Sequence, residues 1–413
     1  MISSNIGYLP IRIGLIGHCA TRVGLQRSFA VISNRRVHGQ ATPKSGEKVV
    51  EVNEVKRFAV DVMTAVGTCR EHAQQLADVI AEADIRGHYS HGLNRLEMYM
   101  NDIKKRVCKG NGEPTIVSER LATGLVNGND LLGPVVGNFC TDLAVKKAKQ
   151  CGIGWVVANH SNHFGIAGFY SMRAAAQGCI GLAFTNTSPI MYPTRSGVPA
   201  LGTNPLTLAV NGLGDDSFVL DMATTTVAIG KVEIANRKGD SIPDTWGVSS
   251  DGNMTTDTSK IVHGGGLLPL GGDEKSGGYK GYGLGALVEI FCGVLGGSHW
   301  GPNIRKWLNA TTIADLGQCF GAIDPDAFAP GFRERMQKFM DTMRNLKTAG
   351  GEKVLVAGDP ERQHVKLVES CGGIPYHLNQ IAFAVSILVV VTVENKLSAD
   401  LGIKTLKVKR TVE

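Results

Sequence analysis

Two histidines, a serine and an arginine crowd into RGHYSHGLNRL at 86–96, which holds His88, Ser90, His91 and Arg95 within ten residues. That set suits proton and carboxylate chemistry. Imidazole titrates near neutrality, and guanidinium grips a carboxylate through two parallel hydrogen bonds. Hydride transfer on a 2-hydroxy or 2-oxo acid needs both: a fixed cation for the carboxylate and a proton donor or acceptor for the hydroxyl. The spacing predicts a helix from about Ser90, with Leu93, Leu96, Met100 and Ile103 as its apolar stripe. His91 and Arg95, four apart, fall on the opposite face, which either meets solvent or closes over a cleft.

A second cluster, NHSNHFGIAGFY at 159–170, follows a strand and precedes a helix. His160 and His163 then stand at a strand's carboxyl end, where sites in α/β proteins collect. Metal ligation by them lacks a third ligand at a recognisable spacing, so no metal site is expected. In LDMA, 220–223, Asp221 ends an apolar strand and either caps the next turn or orients an imidazole.

The elements that must position these groups read as mixed α/β. Leu76, Val79, Ile80 and Ala83 predict one helix over about 52–84, ended by Gly87. GIGWVVAN (152–159) and CIGLAFTN (179–186) read as strands around an alanine-rich helix, 165–177. LTLAV (206–210) and FVLDMA (218–223) read as strands joined by the turn NGLGDD, followed by a polar stretch to about 266. A glycine-rich loop then runs into an apolar helix within 265–297. The uncharged run IAFAVSILVVVTV, 381–393, reads as a buried strand; a membrane-spanning helix needs roughly 20 apolar residues.

Composition narrows the function classes. With 413 residues, 19% charged and 43% hydrophobic, the chain has the make-up of a globular protein, and 52 glycines point to many tight turns. Residues 1–46 carry Arg12, Arg22, Arg27, Arg35, Arg36 and Lys44 with no acid, and they account for the whole net charge of +6. The remainder is balanced and lacks the footprint of a nucleic-acid-binding surface. The acid-free start reads as a mitochondrial transit peptide or a plain extension, so a mitochondrial and a cytoplasmic location both stay open. Nine scattered cysteines with no C-x-x-C pair read as reduced thiols. Neither G-x-G-x-x-G in a strand-to-helix turn nor a Walker A sequence occurs, so any nucleotide is bound by a non-Rossmann fold.

Read in order, RGHYSHGLNRL, SNHFGIAGFY, TNTSPIMYPTRSG…LGTNPLTLAV, FVLDMATTTVAIGKVE, LLPLGG…YKGYGL, AIDPDAF and GDPER…GGIPYH resemble the type-2 malate/L-lactate dehydrogenase family of NAD(P)-dependent oxidoreductases. The resemblance runs from about 52 to 381. It implies an α/β fold that is not Rossmann, with a large central mixed sheet and helical N- and C-terminal parts. Residues 1–51 would be an extension, 52–413 the catalytic region and 120–300 the cofactor-binding core.

The resemblance also implies roles. Ser90 and His91 match the catalytic pair, Asp221 the acid paired with that site, and His163 a proton acceptor of some members. Arg95 matches the carboxylate-binding arginine and Thr203 a substrate contact. His163, Phe164, Gly165, Met222, Ala223, Lys280, Gly358, Asp359 and Arg362 match cofactor contacts. Implied partners are NAD, with NADP possible, a small 2-hydroxy or 2-oxo acid, and a second copy of the chain in a homodimer; no nucleic acid, membrane or metal is expected. Malate is favoured and L-lactate next. Cyclic imino acid reduction, and ureidoglycolate or sulfolactate oxidation, are related alternatives. An inactive scaffold homologue would have lost His91, Arg95, Asp221 or Lys280, and none is lost.

Overall fold

The computed structural model describes residues 44–306, 309–394 and 404–411. Strand β1 (Lys48–Val50) leads into helices α1 (Val52–Ala65), α2 (Arg70–Ile85) and α3 (Leu96–Lys104). Then come β2 (Thr115–Glu119), β3 (Thr123–Asn127), α4 (Gly133–Cys151), β4 (Ile153–Ser161), α5 (Gly168–Ala176) and β5 (Ile180–Thr185). Next are β6 (Leu206–Asn211), β7 (Ser217–Met222), α6 (Ile229–Lys238), β8 (Gly247–Val248), α7 (Thr258–Val262), β9 (Gly266–Leu267) and α8 (Gly278–Glu289). The last elements are β10 (Leu316–Ile323), α9 (Phe332–Arg344), α10 (Asp359–Cys371), β11 (Ile374–Tyr376), α11 (Leu378–Glu394) and β12 (Arg410–Thr411).

Seven strands form one mixed sheet in the order β2-β3-β4-β10-β5-β6-β7, with β3 and β4 parallel and the other neighbours antiparallel. Its central strand, LGQCFGAI, is buried along all but its last residue, because both faces of the sheet are covered. Strand alternation divides the core accordingly. Val156, Ala158, Phe320 and Ala322 join the cluster under α4 and α5, while Val157 and Cys319 face Val288 of α8 and Cys292 just after it. Two glycines let helices lie flush on the strands. A Cβ at Gly154 would fall 1.9 Å from the Ala144 carbonyl oxygen, and one at Gly181 would fall 2.1 Å from that of Ser171.

A second sheet, β11-β1-β12, binds the two ends of the folded chain together. Val49 and Val50 are fully buried in it, so the folded body begins ahead of residue 52, where the extension was expected to end. The acid-free segment read as a targeting signal lies outside the described residues up to 43. The 120–300 segment contributes β3 to β7, but the central strand β10 comes from beyond it.

The structure corrects three elements. The helix expected over 52–84 is two, α1 and α2, because Gly67 adopts φ +96° and turns the chain between them. The helix expected from Ser90 starts only at Leu96, after a 3₁₀ turn at Leu93–Arg95, so His91 is not on it. The run 381–393 is not a strand but most of helix α11, with Ala384 and Ile387 buried against the core. A uniformly apolar run carries no period to separate helix from strand, and thirteen residues exceed an ordinary strand. Among the described residues, no helix is long and apolar enough to cross a membrane.

Gly154→Ala should lower stability by about 1–3 kcal/mol through overpacking against α4. Gly283→Ala, on an exposed turn of α8 with nothing within 4 Å, should leave stability equal or higher. Urea unfolding of the two variants checks this, and equal midpoints would contradict it.

Candidate active site

The loop between α2 and α3 is built by its own polar groups. Gly87 turns the chain at φ +83°, and the His91 amide donates to the His88 carbonyl at 2.8 Å. Asn94 Nδ2 donates to the Tyr89 carbonyl at 2.9 Å, and Arg95 Nε donates to that of Ser90 at 2.6 Å. The buried Asp84 receives the Leu93 amide at 2.9 Å and the Tyr376 hydroxyl at 2.6 Å, both on Oδ2. Outside the loop, Tyr89 donates its hydroxyl to Pro375 O at 2.8 Å, and His364 of α10 lies 3.2 Å from the same hydroxyl. Loop, α10 and β11 are thereby tied together.

This folding brings Ser90, His91 and Arg95 together although no helix carries all three. Ser90 Oγ lies 2.9 Å from His91 Nδ1. His91 is pushed down to about 4, first by burial and then by the charges of Arg95 and His88. His163, from the end of β4, stacks on His91 with ring centroids 6.0 Å apart and 17° between planes. Its Nδ1 lies 2.6 Å from the Tyr99 hydroxyl and receives the Gly165 amide at 3.3 Å. Burial holds His163 well below the usual histidine range, with His91, Arg95 and Arg305 adding to the effect. Behind it, Asn162 Oδ1 accepts from the His163 amide at 2.8 Å, and Asn162 Nδ2 donates to Asp102, which pairs with Arg305 at 2.6 Å.

The other expected site residues fall into two further groups. Asp221 accepts from the Gly168 amide at 2.8 Å and lines a cavity of about 330 Å³ with Arg86, His88, Gly358 and Glu361. It does not hydrogen-bond the His91 ring. Burial raises its carboxyl, and His88 and the Gly168 amide oppose the rise. Gly358, at φ +95°, caps the N-terminus of α10, whereas Asp359 and Arg362 pair with each other and with Arg344 and Ser217. The third group surrounds residues 222–224. The Thr224 amide donates to Thr203 O at 2.8 Å, and the Leu270 amide donates to Thr224 O at 2.8 Å, which sets Thr203, Met222 and Ala223 beside the glycine-rich approach to α8 and Lys280. Phe164 is turned into the core, its ring centroid 4.6 Å from that of Tyr170, and its carbonyl accepts from the Tyr170 hydroxyl at 2.6 Å.

Sequence reasoning passed over Tyr99, Asp84, Asn162 and Arg305. Tyr99 sits four residues after Arg95 on the helix and was hidden beside the apolar stripe. Among the described residues, no group of three or more metal-ligating side chains exists.

The malate/L-lactate dehydrogenase family model matches residues 50–382. A malate dehydrogenase of Pyrococcus horikoshii is 40% identical over 295 residues, 70% of this chain and 81% of its own. A malate/(S)-sulfolactate dehydrogenase of Methanothermus fervidus is 35% identical over 78% of this chain and 93% of its own. The crystal structure of malate dehydrogenase from Entamoeba histolytica superposes with a TM-score of 0.79 at 30% identity, covering 84% of this chain and 98% of that one.

Asp84 yields a pH test. Burial raises its carboxyl from an ordinary 3.8 to about 7, so the folded state keeps a proton that the unfolded chain has lost between those values. Its contribution is therefore fully present below pH 3.8 and is lost as pH rises towards 7. The stability of wild type minus that of Asp84→Asn should fall across this window in denaturant titrations. A difference that stays flat would show that Asp84 does not titrate there.

Proposed function

The chain belongs to the malate/L-lactate dehydrogenase family, and from that premise we propose that it interconverts a small 2-hydroxy acid and its 2-oxo acid, malate first and L-lactate next. It is an oxidoreductase of the CH–OH type; the choice of acid and cofactor is the proposal. The observation that carries it is the meeting of Ser90, His91, Arg95 and His163 in one half-buried cluster.

Arg95 would hold the substrate carboxylate through two parallel hydrogen bonds, which fixes C2 beside the imidazoles. His91 would take the hydroxyl proton in oxidation and return it in reduction, with Ser90 Oγ on Nδ1 setting the ring so that Nε2 faces the substrate. The low basicity of His91 keeps it neutral and ready to accept at neutral pH. Asp221 would act at a distance, through the cavity it shares with His88.

The remaining groups fit a dinucleotide. The thirteen-residue helix α10 is capped by Gly358, where an added Cβ would meet Arg362 and Val219 at 3.0 and 3.2 Å, and Arg86 lines the same cavity. A helix N-terminus and a cation suit phosphate. Lys280, in the first turn of α8, offers a second cation. We take NAD as the cofactor, with NADP as the alternative; when bound, its nicotinamide supplies or accepts the hydride. Malate is favoured because a relative with that name is 40% identical over 295 residues. Sulfolactate is a related alternative: it replaces malate's distal carboxylate by sulfonate, and one relative bears both names.

A homodimer is part of the proposal. Leu287, Ile290, Val294, Leu295 and Trp300 leave an apolar face along the end of α8 and the turn after it, with Ile290 55% exposed. Ile290→Glu should shift the protein to monomer in light scattering after size exclusion; an unchanged mass would remove this face from the interface.

Nicotinamide absorbance with NADH or NADPH and a panel of oxaloacetate, pyruvate and sulfopyruvate tests the reaction, and absence of turnover on the whole panel would refute it. Arg95→Lys keeps the charge but loses the planar fork, so kcat/KM should fall at least about tenfold. A value within twofold of wild type would take Arg95 out of the site.

A further inference from the structure

We propose that Tyr99 is a positioning residue that fixes His163 as the neutral ring protonated on Nε2, so that His163 donates a hydrogen bond to the reacting oxygen while His91 alone transfers the proton. The assignment of a reacting oxygen rests on the function proposed above; the tautomer does not.

The deciding contact is at Nδ1. The Gly165 amide, 3.3 Å away, can only donate, and a hydrogen on Nδ1 would face it directly. The Tyr99 hydroxyl at 2.6 Å then has Nδ1 as acceptor. With its Nδ1 lone pair occupied from two sides, a neutral ring carries its hydrogen on Nε2. Protonating the ring would put its second hydrogen on Nδ1, turn the Tyr99 hydroxyl from donor to acceptor and break the Gly165 contact, since an amide N–H cannot accept.

The surroundings oppose that proton as well. His91, stacked on the ring, and Arg95, both from the 86–95 loop, act against that proton through their charge, as does Arg305. Asp102, the acid on α3 nearest Arg305, is already paired with it at 2.6 Å, and Glu233 of α6 acts on Arg95.

The geometry cannot relax to avoid the choice. Tyr99 is 2% exposed, with its ring edge-on to His163 at 5.5 Å. Gly165 needs its φ of +82°, and a Cβ there would lie 2.2 Å from Val79 Cγ1. The His163 backbone is tied to Asn162 Oδ1.

His91 differs in one respect that matters. Its Nδ1 partner is the Ser90 hydroxyl, which donates or accepts by rotating its hydrogen. His91 can therefore gain or lose a proton without losing a hydrogen bond, and His163 cannot. In reduction, as hydride reaches C2, the oxygen takes its proton from Nε2 of protonated His91, leaving that ring neutral. His163 keeps its Nε2 hydrogen throughout and stabilises the developing charge.

Nitrogen-15 spectra of histidine-labelled full-length protein, recorded without cofactor or substrate, read the tautomer directly. The expected His163 pattern is an unprotonated Nδ1 and a protonated Nε2, unchanged between about pH 5.5 and 8. Tyr99→Phe should mix the tautomers and bring a titration into that range. A wild-type His163 with a hydrogen on Nδ1, or titrating in that range, overturns the proposal whether or not the variant folds. In kinetics, His163→Gln presents an N–H near the Nε2 position and should keep kcat within about tenfold with the same pH profile, while His91→Gln loses about a hundredfold or more. Loss of a pH limb in His163→Gln also overturns the division of roles. The expected spectrum without turnover of any 2-oxo acid would defeat the proposed reaction and leave the Tyr99 assignment standing.

Discussion

Asp84 has no exposed surface where α2, the 86–95 loop and β11 meet, and its Oδ2 atom receives both the Leu93 amide and the Tyr376 hydroxyl. Its other oxygen has no hydrogen-bond partner, which is why burial dominates its titration. Keeping a half-satisfied carboxyl buried is costly, yet removing it would orphan the first amide of the 3₁₀ turn that presents Arg95. The neighbouring glycine belongs to the same constraint. A Cβ at Gly92 would fall 1.8 Å from Asp84 Oδ1, so the loop passes over the carboxyl only because residue 92 has no side chain. Everything contributed by Ser90, His91 and Arg95 hangs on that passage.

The opposite wall is held by the sheet. β4 runs the length of the core and releases His163 just past its end, with Gln318 of β10 donating to the Asn162 carbonyl at 2.8 Å and accepting from Ser161 Oγ. His160 adopts φ +49°, and Asp315 at φ +43° catches its amide at 2.9 Å. Positive φ on residues other than glycine is tolerated where surroundings over-determine it, and here the Asp315 contact holds the end of β4 just before His163. One wall is thus a loop pinned by a buried acid and the other a strand end pinned by its neighbour strand. Tyr99, on α3, is the bridge between them.

Much of this was legible in the sequence, and the failures have physical causes. The strands at 153–161, 180–185, 206–211 and 217–222 announced themselves by β-branched runs bounded by turn residues. The cluster at 86–96 stood out by residue type, but its geometry was misread. Helical periodicity put His91 and Arg95 on one face, whereas Asp84, nine residues before Leu93, forces a loop and a 3₁₀ turn. That contact is tertiary and leaves no mark in local spacing. Asp221 was expected beside His91 because both belong to one resemblance; in space it stands with Gly168 and His88. Tyr99 looked like core because it is core, and only its hydroxyl belongs to the site.

The charge pattern ties the two walls to the chemistry proposed for them. His91 is depressed first by burial and then by the guanidinium of Arg95 and the neighbouring His88, so the ring is a weak base. A substrate carboxylate seated on Arg95 cancels part of that repulsion while leaving the ring as close to the substrate as before. The basicity of His91 then rises on binding, towards the range in which an imidazole both accepts and returns a proton near neutral pH. His163 gains less from the same event, since two hydrogen-bond donors still occupy its Nδ1 atom. Binding an anion therefore widens the difference between two stacked imidazoles, and it is the partner atom at Nδ1, a rotatable hydroxyl against a fixed amide, that decides which of them responds.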